Sequence, residues 1–144
     1  MCIKDDTTPE TPAGPTYLSV LTGEWKVTRW YGYEYEESVP YPDGEGEFFL
    51  YDISEKDVWK FTITSDKTIS EYEVINNTIH ENSWNLVFDS LDGPIKYNED
   101  IYGKMSHLNW DMDCGFNVID DNEIEIIVIS NLYFNIYRCK RIQK

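Results

Sequence analysis

Residues 58–63 read Val58-Trp59-Lys60-Phe61-Thr62-Ile63, and this short stretch decides the fold class. Trp59, Phe61 and Ile63 alternate with Val58, Lys60 and Thr62. Successive side chains of a strand point to opposite faces, so this spacing describes a β-strand with one large apolar face. Turn residues bound it on both sides, Ser54-Glu55-Lys56 before and Ser65-Asp66-Lys67 after. The same rhythm continues outward in both directions. Upstream lie Phe48 to Ile53, a turn at Pro42-Asp43-Gly44, and a first run in which Trp25, Val27, Tyr31, Tyr33 and Tyr35 share one parity, interrupted by Arg29. Downstream, Tyr72 and Val74 continue one face, Asn76-Asn77 turns the chain, and Trp84, Leu86 and Phe88 form the next face. Leu108, Trp110, Met112, Cys114, Phe116 and Val118 keep one parity, which makes 105–119 a single long strand. Asp120-Asp121-Asn122 is a turn. Ile124, Ile126 and Val128 follow, with Ile127 and Ile129 on the opposite face. Ser130-Asn131 then leads into Leu132, Phe134 and Ile136.

The total is eight strands, with one helical turn over Tyr17–Leu21. With an even count the last strand runs antiparallel to the first, so an up-and-down meander closes on itself and leaves no exposed edge. The expected fold is therefore all-β, an eight-stranded antiparallel up-and-down β-barrel with a short N-terminal helical turn. An open sandwich is the competing architecture.

Composition sets limits on function. The chain has 144 residues, enough for one domain with a core of its own. Residues 1–16 hold prolines and polar residues and read as a flexible tether, leaving 17–144 as the folded domain. The formal net charge of −15 argues against nucleic acid as a partner, because phosphates need a basic surface. The charge is uneven. Glu34, Glu36, Glu37, Asp43, Glu45, Glu47, Asp52, Glu55 and Asp57 crowd one segment, read as a solvated acidic rim, with a cation-binding face as the sharper option. A monomer is expected.

Two short patterns resemble known families. Leu21-Thr22-Gly23-Glu24-Trp25 places Gly-x-Trp after a helical turn and before the first strand, which resembles the lipocalin signature. The resemblance implies a lipocalin-like barrel whose Trp25 plugs the closed end, with Gly23 allowing the sharp entry. It also implies a basic side chain from the last strand stacked on the indole. Arg138 continues the parity of Leu132, Phe134 and Ile136 and is the expected partner, with Arg141 the alternative. The second lipocalin signature, Thr-Asp-Tyr, is absent, and Ser130-Asn131-Leu132-Tyr133 substitutes for it only loosely. At the other end, Cys2 followed by Lys4-Asp5-Asp6 resembles the mature start of lipoproteins of Bacteroidetes-type bacteria. That resemblance implies acylation at Cys2, membrane attachment through the acyl anchor, and an outer-membrane position, periplasmic or surface-exposed. The competing reading is an ordinary disordered terminus.

Candidate chemistry is sparse. Cys114 and Cys139 invite a disulfide, but the strand register puts them on the order of 20 Å apart, beyond the reach of about 7 Å that a bridge allows. Two free, mostly buried thiols are expected. His80 and His107 are isolated, and neither they nor Asp111-x-Asp113 nor Asp120-Asp121-Asn122-Glu123 matches a metal-ligand pattern, so no metal and no cofactor is expected. No nucleophile or phosphate-binding motif is present, and an enzyme is not expected. A barrel of eight strands is just wide enough to be filled by side chains or to hold one small ligand. The aromatics expected to point inward are Tyr31, Tyr33, Trp59, Phe61, Tyr72, Trp84, Phe88 and Trp110, and these would line a pocket for a small apolar or amphipathic ligand. The acidic loop 36–46 and the irregular segment 90–104 are placed at the open end, the latter as a lid or a plain surface loop. The alternative is a filled barrel with a structural or protein-interaction role.

Overall fold

The computed structural model describes residues 14–143, with side chains through Ile142. Cys2 and most of the expected tether lie outside the described residues. Helix α1 (Tyr17–Leu21) is set by a capping box. The Thr16 hydroxyl accepts from the Ser19 amide at 3.1 Å, and the Ser19 hydroxyl accepts from the Thr16 amide at 3.0 Å. One turn is enough to bury Tyr17, Val20 and Leu21.

Nine strand segments follow: β1 (Gly23–Glu34), β2 (Glu47–Asp52), β3 (Trp59–Thr64), β4 (Thr68–Ile75), β5 (Thr78–Val87), β6 (Asp100–His107), β7 (Trp110–Asp120), β8 (Glu123–Ile129) and β9 (Tyr133–Gln143). All neighbours pair antiparallel, and β9 returns to pair with β1. The lower part of β1, Gly23–Lys26, pairs with β3, while Arg29–Glu34 pairs with β2. Strands β2 and β3 are therefore two pieces of one stave, interrupted by 53–58. The result is a closed, eight-staved antiparallel barrel of lipocalin-like, up-and-down order.

The count of eight emerges from two corrections that cancel. The runs 48–53 and 59–63, expected as separate strands, share one stave. The stretch 105–119, expected as one strand, is a hairpin that turns at Leu108-Asn109, with His107 opposite Trp110. Leu108 sits in the left-handed region at φ 50° and is 87% exposed. An apolar residue at that position carries no turn signal, so alternation runs through the turn unbroken.

A second irregularity matters more for function. Along β1 and β9, Cys139 faces Val27 but Arg138 faces Arg29, which leaves Thr28 as one extra residue. Such a bulge inverts the parity of everything beyond it. Below it Trp25 and Val27 point inward and are fully buried. Above it Trp30 and Gly32 point inward. Gly32 has φ 150°, and a Cβ there would lie 1.8 Å from the Phe134 carbonyl oxygen, so no other residue fits.

The core fills the lower barrel: Trp25, Val27, Phe61, Ile63, Ile69, Phe116, Val118, Ile124, Ile126 and the free thiols of Cys114 and Cys139. Cys114 is level with Val128 and Asn135, and Cys139 with Ile124, so the thiols sit about four residues and two strands apart. Burial pushes the Cys114 thiol up to about 12, aided by Asp113. Segment 88–99 seals this end together with α1. Tyr17 and Leu18 donate to the Gly93 and Leu91 carbonyls, Ile95 donates to Pro15, and Leu91 is buried. The 90–104 segment thus lies at the closed end, not the open one, and is no lid. Loop 35–46 does join strands at the open end, but it folds down the outer wall. Its Tyr41 amide donates to Asn131 and its ring packs on Phe134.

Candidate functional site

Above the packed base the barrel holds a cavity of about 520 Å3. Its walls come from seven staves. Strand β3 supplies Phe61, β4 Glu71, β5 Glu81 to Trp84, β6 Met105 and His107, β7 Trp110 and Met112, and β8 and β9 Val128, Asn135 and Tyr137. The cavity opens sideways, and the ladders explain where. Strand β5 pairs with β4 over Thr78–Asn85, but with β6 only through Asn85–Val87. Above Asn85 the two staves splay apart, and a single tie spans the gap. His107 Nδ1 lies 3.0 Å from the Ser83 carbonyl. A carbonyl can only accept, so Nδ1 carries the proton and Nε2 is left free on the ring.

The lining is aromatic and sulfur-rich, with a small polar set. Glu71 faces Phe61 on one neighbour and Asn82 on the other. The Trp59 indole N–H donates to its carboxylate at 2.8 Å. Burial pushes the Glu71 carboxyl above the usual carboxylate range, opposed by hydrogen bonds from Trp59 and Asn82 and by His80. Glu73, one step up the same face, is also raised, by burial and then by the charge of Glu71. Burial, then the carboxylates of Glu71 and Glu73, hold the Tyr137 phenol well above its ordinary value. The Asn135 side-chain oxygen accepts from the Trp30 indole at 3.0 Å, which fixes its amide orientation. Among the described residues no lysine or arginine lines this cavity.

Compared with family models, curated proteins and solved structures, the chain matches none. The site is therefore argued from its own geometry.

Of the aromatics expected inside, the structure brings Phe61, Trp84 and Trp110 to the cavity wall. Trp59 stands behind it as the donor to Glu71. Phe88 points inward but lies lower, against Phe116 at 5.3 Å and over Gly103, where it helps fill the base. Tyr31, Tyr33 and Tyr72 point outward. The Thr28 bulge turns out the first two. The Tyr31 hydroxyl donates to Glu125, and Tyr33 stacks edge-on with Phe48. Tyr72 faces Lys60 on the outer wall, with the ammonium 5.9 Å from its ring, because β4 presents Ile69, Glu71 and Glu73 inward instead.

The closed-end contact also differs from expectation. Arg141, not Arg138, lies over the Trp25 ring at 4.2 Å. On β9 the odd residues Asn135, Tyr137, Cys139 and Arg141 face inward, so Arg138 points out. There it pairs with Glu123 at 2.9 Å and Glu125 at 3.4 Å. The Arg141 guanidinium donates to the Val20, Thr22 and Asp121 carbonyls, tying α1 and the 121–122 turn across the indole. Trp25 donates in turn to the Leu21 carbonyl at 2.8 Å. Gly23, at φ 140°, lets the chain leave α1 directly into β1.

Sequence reasoning missed the polar lining: Glu71, Asn82, Asn135 and the Tyr137 hydroxyl. One signal was present. Ile69, Glu71 and Glu73 share a parity, and Ile69 is as apolar as anything on the Tyr72 side. Among the described residues no group of three metal-ligating side chains gathers.

Proposed function

We propose that this chain is a lipid-anchored lipoprotein of the cell envelope whose lipocalin-like barrel binds a small apolar or amphipathic molecule. The observation that carries the binding half is the cavity. At about 520 Å3 it falls within the roughly 300–1,000 Å3 of small-molecule sites, and its walls combine aromatic surface with a few convergent polar groups. A barrel filled by its own side chains would leave no such space. Anchoring rests on Cys2 and its acidic neighbours, with an outer-membrane position and a monomeric barrel as parts of the same reading. The outer wall favours a second reading. Tyr33, Phe48 and Leu50 are exposed there on adjoining strands, a surface that fits contact with another envelope protein.

Native mass spectrometry of the protein purified from its own membranes tests both halves. Acylated mass at the N-terminal peptide and a non-covalent adduct of a few hundred daltons are the expected results. An unmodified cysteine overturns the anchor. Absence of any adduct, together with no uptake of a solvatochromic apolar dye, overturns the binding role.

A further inference from the structure

The cavity's lining says which end of an amphiphile it would hold, and in which charge state. Resting on the ligand-binding reading above, we propose that the barrel selects a cationic amphiphile, an organic amine whose ammonium group sits against Glu71 among the aromatic rings.

Three independent features converge on this class. The first is the sign of the lining. Glu71 is its carboxylate, Glu73 stands one step above it on the same inward face, and among the described residues no lysine or arginine borders the cavity. A ligand carboxylate would be buried there beside fixed negative charge with no lysine or arginine to pair it, which desolvation disfavours. The second is the character of the walls. Phe61, Trp84, Trp110 and Tyr137 surround the space, and ring faces attract ammonium groups while also accepting alkyl chains. Met105 and Met112 complete the apolar part with side chains that adapt to irregular ligands. The third is the state of Glu71 itself. Its carboxylate accepts from two neutral donors, the Trp59 indole and the Asn82 amide; the basic side chain acting on it is His80, opposite Glu73, and among the described residues no lysine or arginine pairs with it. The chain has basic residues on the outer wall, Lys60, Lys104 and Arg138 among them, yet each pairs outward with Glu24, Asp113 or Glu123. A desolvated carboxylate oriented by neutral donors, with only an imidazole nearby, lacks the permanently charged partner that a ligand ammonium can bring. The overall charge of −15 adds a field that draws cations toward the mouth.

Three probes of one chain length separate the possibilities: decylamine, decanol and decanoate, titrated at pH 7 in about 0.15 M salt, where exposed surface charges are largely screened. Binding is read by calorimetry and by quenching of the lining tryptophans. Decylamine is expected to bind roughly tenfold tighter than decanol, and decanoate more weakly than either. Glu71→Gln is expected to bring the amine within about threefold of the alcohol while the alcohol's own affinity holds, which also reports that the barrel is intact. Glu47→Gln, on the outer wall, should leave the ratio unchanged. Equal affinity for amine and alcohol in the native protein overturns the proposal and leaves the ligand-binding role standing. So does a ratio that Glu71→Gln does not move, or that Glu47→Gln moves equally. Failure of all three probes to bind overturns the binding role itself.

Discussion

Glu71 carries a charge in a place that resists it, and the direction of its shift gives a pH signature. Its native pKa lies above the unfolded value of about 4.3 because burial disfavours the carboxylate. Below both values the residue is neutral in either state and adds no pH dependence. As pH rises through the unfolded value and then the raised native one, ionisation in the barrel removes stability. Glu71→Gln keeps a side-chain carbonyl for the Trp59 indole and deletes the charge. Thermal melts should therefore show the variant more stable than the parent at pH 7, with the two converging near pH 4. A variant that melts lower at pH 7 would contradict this account. The two arginines of β9 separate in the same way. Arg141→Ala loses a stacked indole contact and leaves the Val20 and Thr22 carbonyls without their donor, which should cost about 2–4 kcal/mol in urea unfolding. Arg138→Ala removes a third-exposed ion pair on the outer wall and should cost about 1 kcal/mol or less.

At the scale of elements, the bulge at Thr28 decides which aromatics the barrel contains. Trp30, above the bulge, is packed among Trp59, Phe49 and Tyr137 with ring centroids 5.1–6.4 Å away. Trp30→Ala should cost about 3–5 kcal/mol. Tyr33→Ala, on the outer wall, should cost about 1 kcal/mol or less. A strand without the bulge reverses that order, so chemical denaturation of the two variants reads the register directly. The contrast also marks what alternation along the chain can and cannot convey. Strand β3 was legible because only one of its faces is bulky. A bulge has no compositional mark, so the parity that Trp25 and Val27 establish was carried past Thr28 onto the wrong side. On β9 both faces are apolar. Phe134 lies under Tyr41 outside, while Tyr137 and Cys139 lie inside, and the brighter row, Phe134 and Ile136, was the outer one. On β4 the inward carboxylates read as a solvent face, since burial of Glu71 is the opposite of what its type predicts. Fold class and strand count survive such errors because they depend on spacing. The polar lining of the cavity depends on parity at single positions, and there it was lost.

Across the whole molecule, stability is graded from a sealed base to a split wall. The base has α1, segment 88–99, Trp25 and Arg141 locked by mutual hydrogen bonds. The opposite end has a seam, because β5 continues seven residues beyond its last shared ladder with β6. Leu86 donates to Lys67, so the even amides of β5 turn toward β4 and the odd ones toward the seam. Ile79, Glu81 and Ser83 thus present N–H groups to an edge with no ladder partner. Polar residues along Thr78–Ser83 guard that edge against pairing with another chain. Hydrogen exchange follows opening of the local ladder, so these three amides should exchange far faster than those of the alternating His80, Asn82 and Trp84. A molecule held in the cavity would rest against the inner side of the same strand, since Asn82 and Trp84 line it. Saturation with a bound amphiphile should therefore slow exchange along β5 above Asn85 and leave the base amides of Trp25 and Val118 unchanged. Protection that rises only at the base, or not at all, would place the ligand elsewhere on the molecule.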